Sequence, residues 1–418
     1  MEVSPKIRSS CRVCGFAQMK DILSLGNQFV TNFVDSPQQE QIRIPLELIF
    51  CNNCKLLQLR HTTPSEILYR QYWYKSGIST SMRAALADVV NKAIQMVDLD
   101  PYDIVIDIGS NDGTTLRLFP KNIPLTLVGF EPAKNLIEES QIGTSVIIND
   151  FFNYDSYKKI FGNKKAKIIT AVAMFYDLED PNKFVDDIVN CLHSNGVFII
   201  QMNYLMLMLE QNAFDNISHE HLEYYSLESL RYLLNKHDLE IFDVELNNVN
   251  GGSFRVYVKH KGASVKTVDA AENRIKELME RERKMMLNDA QTYIDFAKRI
   301  NILKEKVHGF IEQEVKNGKT IYIRGSSTRG NVTLQFFGID HRLIKKAGDR
   351  NKDKYGKYIV GTEIPIVPVE QAMAEKPDYF LVLPWHFIDE LVGEAKDYLN
   401  SGGKFIVPMP EFKIIGSS

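Results

Sequence analysis

Cysteine and tryptophan are scarce in this chain, five and two among 418 residues. Charge of either sign is not in excess: 50 Lys and Arg face 53 Asp and Glu, a formal net of -3. So small an imbalance leaves no electrostatic footprint for nucleic acid or an anionic membrane, and neither is expected as a partner. No apolar run approaches the roughly 20 residues that span a bilayer. The opening MEVSPKIRSSCRVCG lacks the apolar stretch of a secretory signal, so a cytoplasmic, reducing setting is expected. Disulfides are rare in such a setting, so the few cysteines need another reason. There is no low-complexity tract and no fine repeat. At roughly 100–200 residues per domain, the length allows about two to four domains.

What cysteine there is falls in a pattern. Cys11-Arg-Val-Cys14 and Cys51-Asn-Asn-Cys54 are two C-x2-C turns. Each sets two thiolates on one side, and two such turns complete a tetrahedral S4 site for zinc. Four free or redox-active thiols are the weaker reading, because each pair has its own turn, with Gly15 and Asn52-Asn53 supplying the loop chemistry. A metal also stabilises a segment too small to fold on an apolar core. With cysteine at all four places no catalytic position stays open, so the zinc is expected to be structural. Cys191 lies in a helical apolar run and is expected in the core.

The fold class is α/β. Residues 1–65 read as an irregular zinc-binding module. Strands are expected at 103–108, 125–130, 167–173, 196–202 and 253–259, alternating with helices. That alternation argues for a parallel sheet, so residues 66–262 form a central Rossmann-like domain. Residues 263–316 are charged, with Ile275, Leu278, Met279, Ile294, Phe296 and Ile300 at helical spacing, and form a helical connection. Residues 317–418 form a C-terminal Rossmann-like α/β domain, with strands expected at 320–324, 343–348, 379–383 and 404–407.

The first central strand runs into Asp107-Ile-Gly109-Ser-Asn111-Asp112-Gly113, and a helix follows. The glycines let the backbone approach a ligand. The next strand ends at Glu131, some 20 residues on, where a carboxylate can accept both ribose hydroxyls. A dinucleotide turn needs G-x-G-x-x-G; here the spacing is G-x-x-x-G, and the carboxylate of Asp112 within it would repel a pyrophosphate. S-adenosylmethionine has no phosphate and carries cationic sulfonium and amino groups, so an acidic turn suits it. The segment is therefore read as a class I S-adenosylmethionine methyltransferase turn, with Asp107, Gly109, Asn111, Asp112, Gly113 and Glu131 as the cofactor set. Asp150 and Phe151 suit the adenine amino group and ring face. Residues 171–177, with Phe175 among them, end the next strand and would line the cofactor's other side.

A further run, Asn212-Ala-Phe-Asp-Asn-Ile-Ser-His-Glu-His221-Leu-Glu-Tyr-Tyr-Ser226, adds to the cysteine turns, IDIGSNDGTTL and GFEP. Together they resemble the sugar C-methyltransferases that act on nucleotide-linked 4-keto-6-deoxyhexoses. IRGSSTRGN at 323–331, GTEIPI at 361–366, LPWHF at 383–387 and GGKFIVP at 402–408 resemble that family's C-terminal blocks, so the likeness covers essentially the whole chain. It implies a zinc module, a methyltransferase domain and a C-terminal domain that binds nucleotide sugar. It also implies that His221 is the base that removes the proton beside the ketone. Glu220 would position substrate or base, with His219 in the same run, and Tyr74 would enter from the segment after the zinc module. Two positions depart from the family. Ser218 stands where Tyr is frequent, and Asp177, in Phe175-Tyr176-Asp177, stands where His is frequent.

An imidazole near neutrality can take the proton beside a ketone, and the enolate oxygen then needs a donor. Ser218 and Tyr224 are candidate donors and Tyr204 a candidate wall; Met206 and Met208 read as core. The same histidine could deprotonate an alcohol, so O-methylation or N-methylation of a related nucleotide sugar stays open, as does a non-catalytic sugar-binding role. Arg324, Ser326, Ser327, Arg329 and Asn331 sit on a glycine-bounded turn before a helix, a ready anion site. Lys352 and Tyr355 are secondary candidates. His386 is either a site residue or packed beside Trp385. Arg255 either meets a diphosphate or follows a plain β-turn. The expected partner is a nucleotide-diphosphate sugar, and the chain a monomer or homodimer.

Overall fold

The residues around the two cysteine turns are not irregular, as the sequence reading expected, but build a sheet. In the computed structural model, which describes residues 5–30, 33–39, 42–267 and 269–416, strands Met19–Phe29, Arg43–Cys51 and Leu57–Leu59 pair antiparallel. Ile44, Leu46 and Leu48 alternate inward with Arg43, Pro45 and Glu47 outward, a period-two signal for a strand. The fourth strand is the remote pair Glu223–Tyr224, on the far side of Leu57–Leu59. Glu223 lies opposite Gln58 and Tyr224 opposite Leu57, and the Leu59 N–H donates to the Leu222 carbonyl at 2.9 Å. The module also reaches the other way. Its Phe33–Val34 strand pairs antiparallel with Tyr358–Ile359 at the edge of the C-terminal sheet.

The central sheet has seven strands in the order Leu239–Asn247, Ser253–His260, Leu192–Asn203, Ala166–Val172, Ile104–Ile108, Thr126–Phe130 and Val146–Ile148. The last five run parallel; Ser253–His260 is antiparallel to both neighbours. Ile104–Ile108 is buried at every residue, as a strand covered on both faces must be. Its neighbours belong to chain segments that leave in opposite directions. The strand order therefore reverses there, and a crevice opens at the carboxyl ends.

Helices Ala271–Lys284 and Ala290–Lys316 connect the two sheets. The longer helix buries Tyr293, Phe296, Ala297, Ile300, Leu303, Val307 and Ile311, spaced to form one stripe. The C-terminal sheet places Ile321–Arg324 between Tyr379–Val382 and Ala347–Asp349. The strand expected at 343–348 is thus shifted. The N–H groups of Leu343 and Ile344 both donate to the Asp340 carbonyl, which holds that apolar pair in a turn. Among the described residues no helix is long and apolar enough to cross a membrane.

Arg12, inside the first cysteine turn, ties the module together. Its side chain is fully buried; it donates to the Leu59 carbonyl, to Thr62 Oγ1 at 2.7 Å and to Glu179 at 3.3 Å, and it lies 3.8 Å from Glu223 Oε1. Both Glu223 oxygens lack a hydrogen-bond partner among the described residues. Removing one member of a buried charged set costs about 3–5 kcal/mol. Arg12→Ala is expected to lower unfolding stability by about that amount in urea titration, and a second change, Glu223→Gln, to recover part of it. An unchanged midpoint would leave Arg12 without the anchoring role.

Candidate active site

The four cysteines converge although their turns lie far apart in sequence. Their sulfurs all lie within 4.8 Å of one another, with Cys11 to Cys54 at 3.4 Å and Cys14 to Cys51 at 3.5 Å. In each turn the N–H of Gly15 or Lys55 donates back to the carbonyl of Cys11 or Cys51 at 3.0 Å. Both residues take positive φ, 74° and 63°, to do so. A tetrahedral zinc with sulfurs at about 2.3 Å spaces them about 3.8 Å apart, so the four donors fit the ion. When bound, zinc supplies cross-linking of the module and no reactive position.

The crevice at the carboxyl ends of the parallel strands widens into a cavity of about 1080 Å³. One end is formed by the glycine turn. Asp107 faces it, accepting the Thr170 hydroxyl at 2.6 Å, and burial pushes its carboxyl up to about 7. Gly109 takes φ 68°, which brings its backbone to the cavity wall. The two Glu131 oxygens accept the N–H groups of Asn111 and Ala133, both at 2.7 Å. Each oxygen keeps a lone pair for a ribose hydroxyl. Asp150 and Phe151 line the same end. The carboxyls of Asp107, Glu131 and Asp150 suit a donor with cationic sulfonium and amino groups, so this end fits S-adenosylmethionine.

Three residues expected here do not line the cavity. Asp112 turns away to accept the N–H of Gly77 at 2.7 Å and both N–H and hydroxyl of Thr114. Gly113 packs on the Ser140 backbone, where an added Cβ would stand 2.8 Å from the carbonyl oxygen. Phe175 is core, its ring against Phe184, Phe198 and Tyr225. Asn111 acts on both sides. Its backbone holds Glu131, while its amide accepts the Ser76 N–H and donates to the Tyr74 carbonyl. The turn therefore fastens residues 74–77 over the crevice. Sequence reasoning missed Tyr69 and Arg70. The Tyr69 ring stands edge-on to Phe151, and the Arg70 guanidinium lies 5.0 Å above that ring and 3.7 Å from Asp150.

The middle of the cavity is walled by Ser218, His219, Glu220, His221 and Tyr74. His221 Nδ1 lies 2.7 Å from the Asn216 carbonyl, and its ring packs on Tyr176 at 4.3 Å. A carbonyl only accepts, so Nδ1 carries the hydrogen and Nε2 keeps a lone pair. Burial lowers His221 to about 4, so the ring is neutral at physiological pH. His219 is a strut: its Nε2 lies 2.9 Å from the Ile44 carbonyl in the zinc module. Burial pushes the Glu220 carboxyl up to about 7. Tyr176 and Asp177, at the strand end expected to line the site, face the cavity, and so does Tyr72, which sequence reasoning missed. Tyr224 is not in the wall; its hydroxyl donates to the His221 carbonyl at 3.1 Å and braces the loop. Tyr204 is not in the wall either, being stacked on Phe254 at 4.5 Å with its hydroxyl donating to Glu282.

At the far end, the C-terminal unit contributes Ser327, Thr328, Arg329 and His386. Arg329 forks onto Asp215 of the loop at 3.0 and 3.1 Å and reaches the Asn250 carbonyl at 2.8 Å. Trp385 Nε1 donates to the same Asp215 at 3.2 Å. The other residues expected at this end point elsewhere. Arg324 pairs with Glu394 at 3.1 Å, Ser326 donates to Asp349 at 2.6 Å, and Asn331 is buried in its helix. Lys352 is exposed, and the Tyr355 hydroxyl donates to the Arg350 carbonyl. Arg255 pairs with Asp88 and Gln201, away from the cavity.

Asp107 offers a pH test. Its carboxyl is raised to about 7, so it carries charge above that pH and loses it below. Affinity for the cationic methyl donor is expected to rise a few-fold between about pH 6 and 7.5, and Asp107→Asn to abolish the rise. Calorimetric titration of wild type and variant checks it; an identical pH dependence in both would contradict it.

Family models match the chain as a zinc binding domain over residues 11–69, a methyltransferase domain over 79–244 and a C-methyltransferase C-terminal domain over 248–410. The C-methyltransferase NovU of Streptomyces niveus is 30% identical over 411 residues, 97% of each chain. Among solved structures, an S-adenosylmethionine-dependent methyltransferase of Clostridium acetobutylicum has 14% identity and a TM-score of 0.34 over 43% of this chain and 92% of that one. One of Leishmania major has 12% identity and a TM-score of 0.33 over 46% and 75%. The chain belongs to the C-methyltransferases: it is an S-adenosylmethionine-dependent methyltransferase that carries a zinc-binding module.

Proposed function

We propose that the protein methylates carbon beside the ketone of a nucleotide-diphosphate-linked keto-deoxysugar, with His221 as the base. The observation that carries this reading is a neutral imidazole at the wall of a cavity that opens both to the methyl-donor turn and to the C-terminal unit. A single small-molecule ligand takes roughly 300–1,000 Å³. At about 1080 Å³ the cavity has room for a donor and an acceptor together.

S-adenosylmethionine, when bound, supplies a methyl group on a cationic sulfonium, already a strong electrophile. The chain's own work is alignment and proton removal. His221 Nε2 takes the proton beside the ketone, while the Asn216 carbonyl holds Nδ1–H and fixes the tautomer. The Tyr176 ring packs against the imidazole at a tilt of 59°, its centroid 4.3 Å away. At the far end, Ser327 caps the helix Thr328–Phe337, whose first turn lies in the cavity wall beside Arg329. A helix N-terminus with a guanidinium beside it suits a diphosphate.

The assay is incorporation from tritiated methyl donor into dTDP-, GDP- and CDP-4-keto-6-deoxysugars. Incorporation at oxygen of a reduced sugar, with none at carbon of any keto sugar, would replace this reading with O-methylation. His221→Ala is expected to lower turnover by about 10²–10⁴ while leaving the cofactor dissociation constant within about twofold. A collapse of cofactor affinity in that variant would assign His221 to binding instead.

A further inference from the structure

Asp177 is the acid at the cavity wall that the reaction above does not use. It ends the short helical turn Phe175–Asp177 that follows the Ala166–Val172 strand, next to the Tyr176 ring that packs against His221. It faces the cavity, yet its Oδ1 is buried and has no hydrogen-bond partner among the described residues. We propose that Asp177 serves as an un-ionised carboxylic acid that donates a hydrogen bond to the acceptor's carbonyl oxygen, holding the charge that forms there when His221 takes the neighbouring proton. The assignment rests on the keto-sugar reading for the identity of that oxygen.

The surroundings explain the protonated state. The groups that face Asp177 are acids and phenols: Tyr176 on its own turn, Tyr69 and Tyr72 from the segment after the zinc module, and Glu220, Glu223 and Tyr224 from the catalytic loop. The nearby guanidiniums are engaged elsewhere, Arg12 with Glu179 and Glu223, Arg329 with Asp215. Burial and two neighbouring carboxyls push Asp177 well above the usual carboxylate range, outweighing the Tyr69 hydroxyl, which pulls it down; burial alone raises Glu220 to about 7. A bound sulfonium favours one ionised carboxyl nearby. Glu220 gives up its proton first, and its charge then makes the second ionisation harder still.

The step balances without any further reactant. The C–H bond beside the ketone breaks, its proton goes to His221 Nε2, and the electron pair moves towards the carbonyl oxygen. That oxygen accepts the hydrogen bond from Asp177 as its charge grows. The carbon then forms its bond to the methyl group as the sulfur–methyl bond breaks, and S-adenosylhomocysteine leaves. Acids kept neutral in this way are known donors to enolate oxygens.

The test uses the full-length zinc-loaded protein with S-adenosylhomocysteine and has two arms. Difference infrared spectra of wild type against Asp177→Asn are expected to show a carboxylic-acid carbonyl band at neutral pH that the variant lacks. Solvent-deuterium exchange beside the ketone of dTDP-, GDP- and CDP-4-keto-6-deoxyglucose reads the proton-removal step. There Asp177→Asn, which keeps an N–H donor, is expected to retain exchange within about tenfold, while Asp177→Ala loses about 10²–10³. A carboxylate band in place of the acid band overturns the proposal. So does an Asn variant as slow as the Ala variant, since an ionised counter-charge would then be required. If the Ala variant fails to fold, the infrared arm and the Asn variant still decide. If wild type exchanges none of these sugars, the substrate reading falls, and the infrared arm alone settles the state of Asp177.

Discussion

The pairing of Leu57–Leu59 with Leu222–Tyr224 places His221 at the cavity wall. The run from Asn212 to His221 has only one short helical turn of its own, yet nearly all of it is buried. Buried backbone outside regular structure must find partners for its polar groups, or it will not hold one conformation. Short turns within the loop meet part of that need, such as the His221 N–H to the Ser218 carbonyl, and contacts from outside the loop fix where it sits. The zinc-module sheet takes its downstream end as a fourth strand, the Ile44 carbonyl takes His219, and Asp215 is gripped by Arg329 and Trp385 of the C-terminal unit. His221 is thereby held from both sides, with the Asn216 carbonyl setting its tautomer. The module is too small to hold such a sheet on its apolar core alone, and zinc fixes the turns from which two of its strands start and end.

The same arrangement explains how so much acid survives in the interior. Asp107, Glu131, Asp177, Glu220 and Glu223 all carry carboxyls raised by burial. Unpaired buried carboxyls oppose folding, so they persist only where the rest of the structure dictates their position. The reward is functional. A cationic methyl donor finds carboxyls at the glycine turn, and buried acids and phenols face the middle of the cavity. A site with strong cations there would repel the donor.

Much of this was legible in the sequence, because the spacings themselves carry the chemistry. Two C-x2-C turns demand one centre, a strand running into Asp107 and Gly109 demands a ligand at the sheet's carboxyl edge, and both hold in three dimensions. The errors have identifiable causes. Asp112 was read as facing the donor, but the N–H of Gly77 and the start of the following helix compete for its oxygens and win. Phe175 was read as a site wall from its place after a strand, but three aromatic neighbours claim it for the core. Of the anion set expected before the helix Thr328–Phe337, Ser327 and Arg329 line the cavity, while Ser326 and Arg324 meet Asp349 and Glu394 first. The Glu223–Tyr224 strand could not be read at all: two residues carry no periodicity, and their partner lies far upstream. Tyr69 and Tyr72 stayed hidden for the same reason, since only the fold brings them to the cavity wall.

The dependence of the His221 loop on the zinc module is most directly measured by amide hydrogen exchange on the full-length protein, zinc-loaded and metal-depleted, without substrate. Metal removal is expected to speed exchange at residues 216–226 together with residues 11–59, while amides of Ile104–Ile108 and Ala166–Val172 stay protected. Faster exchange confined to the cysteine turns, with 216–226 as protected as before, would contradict it.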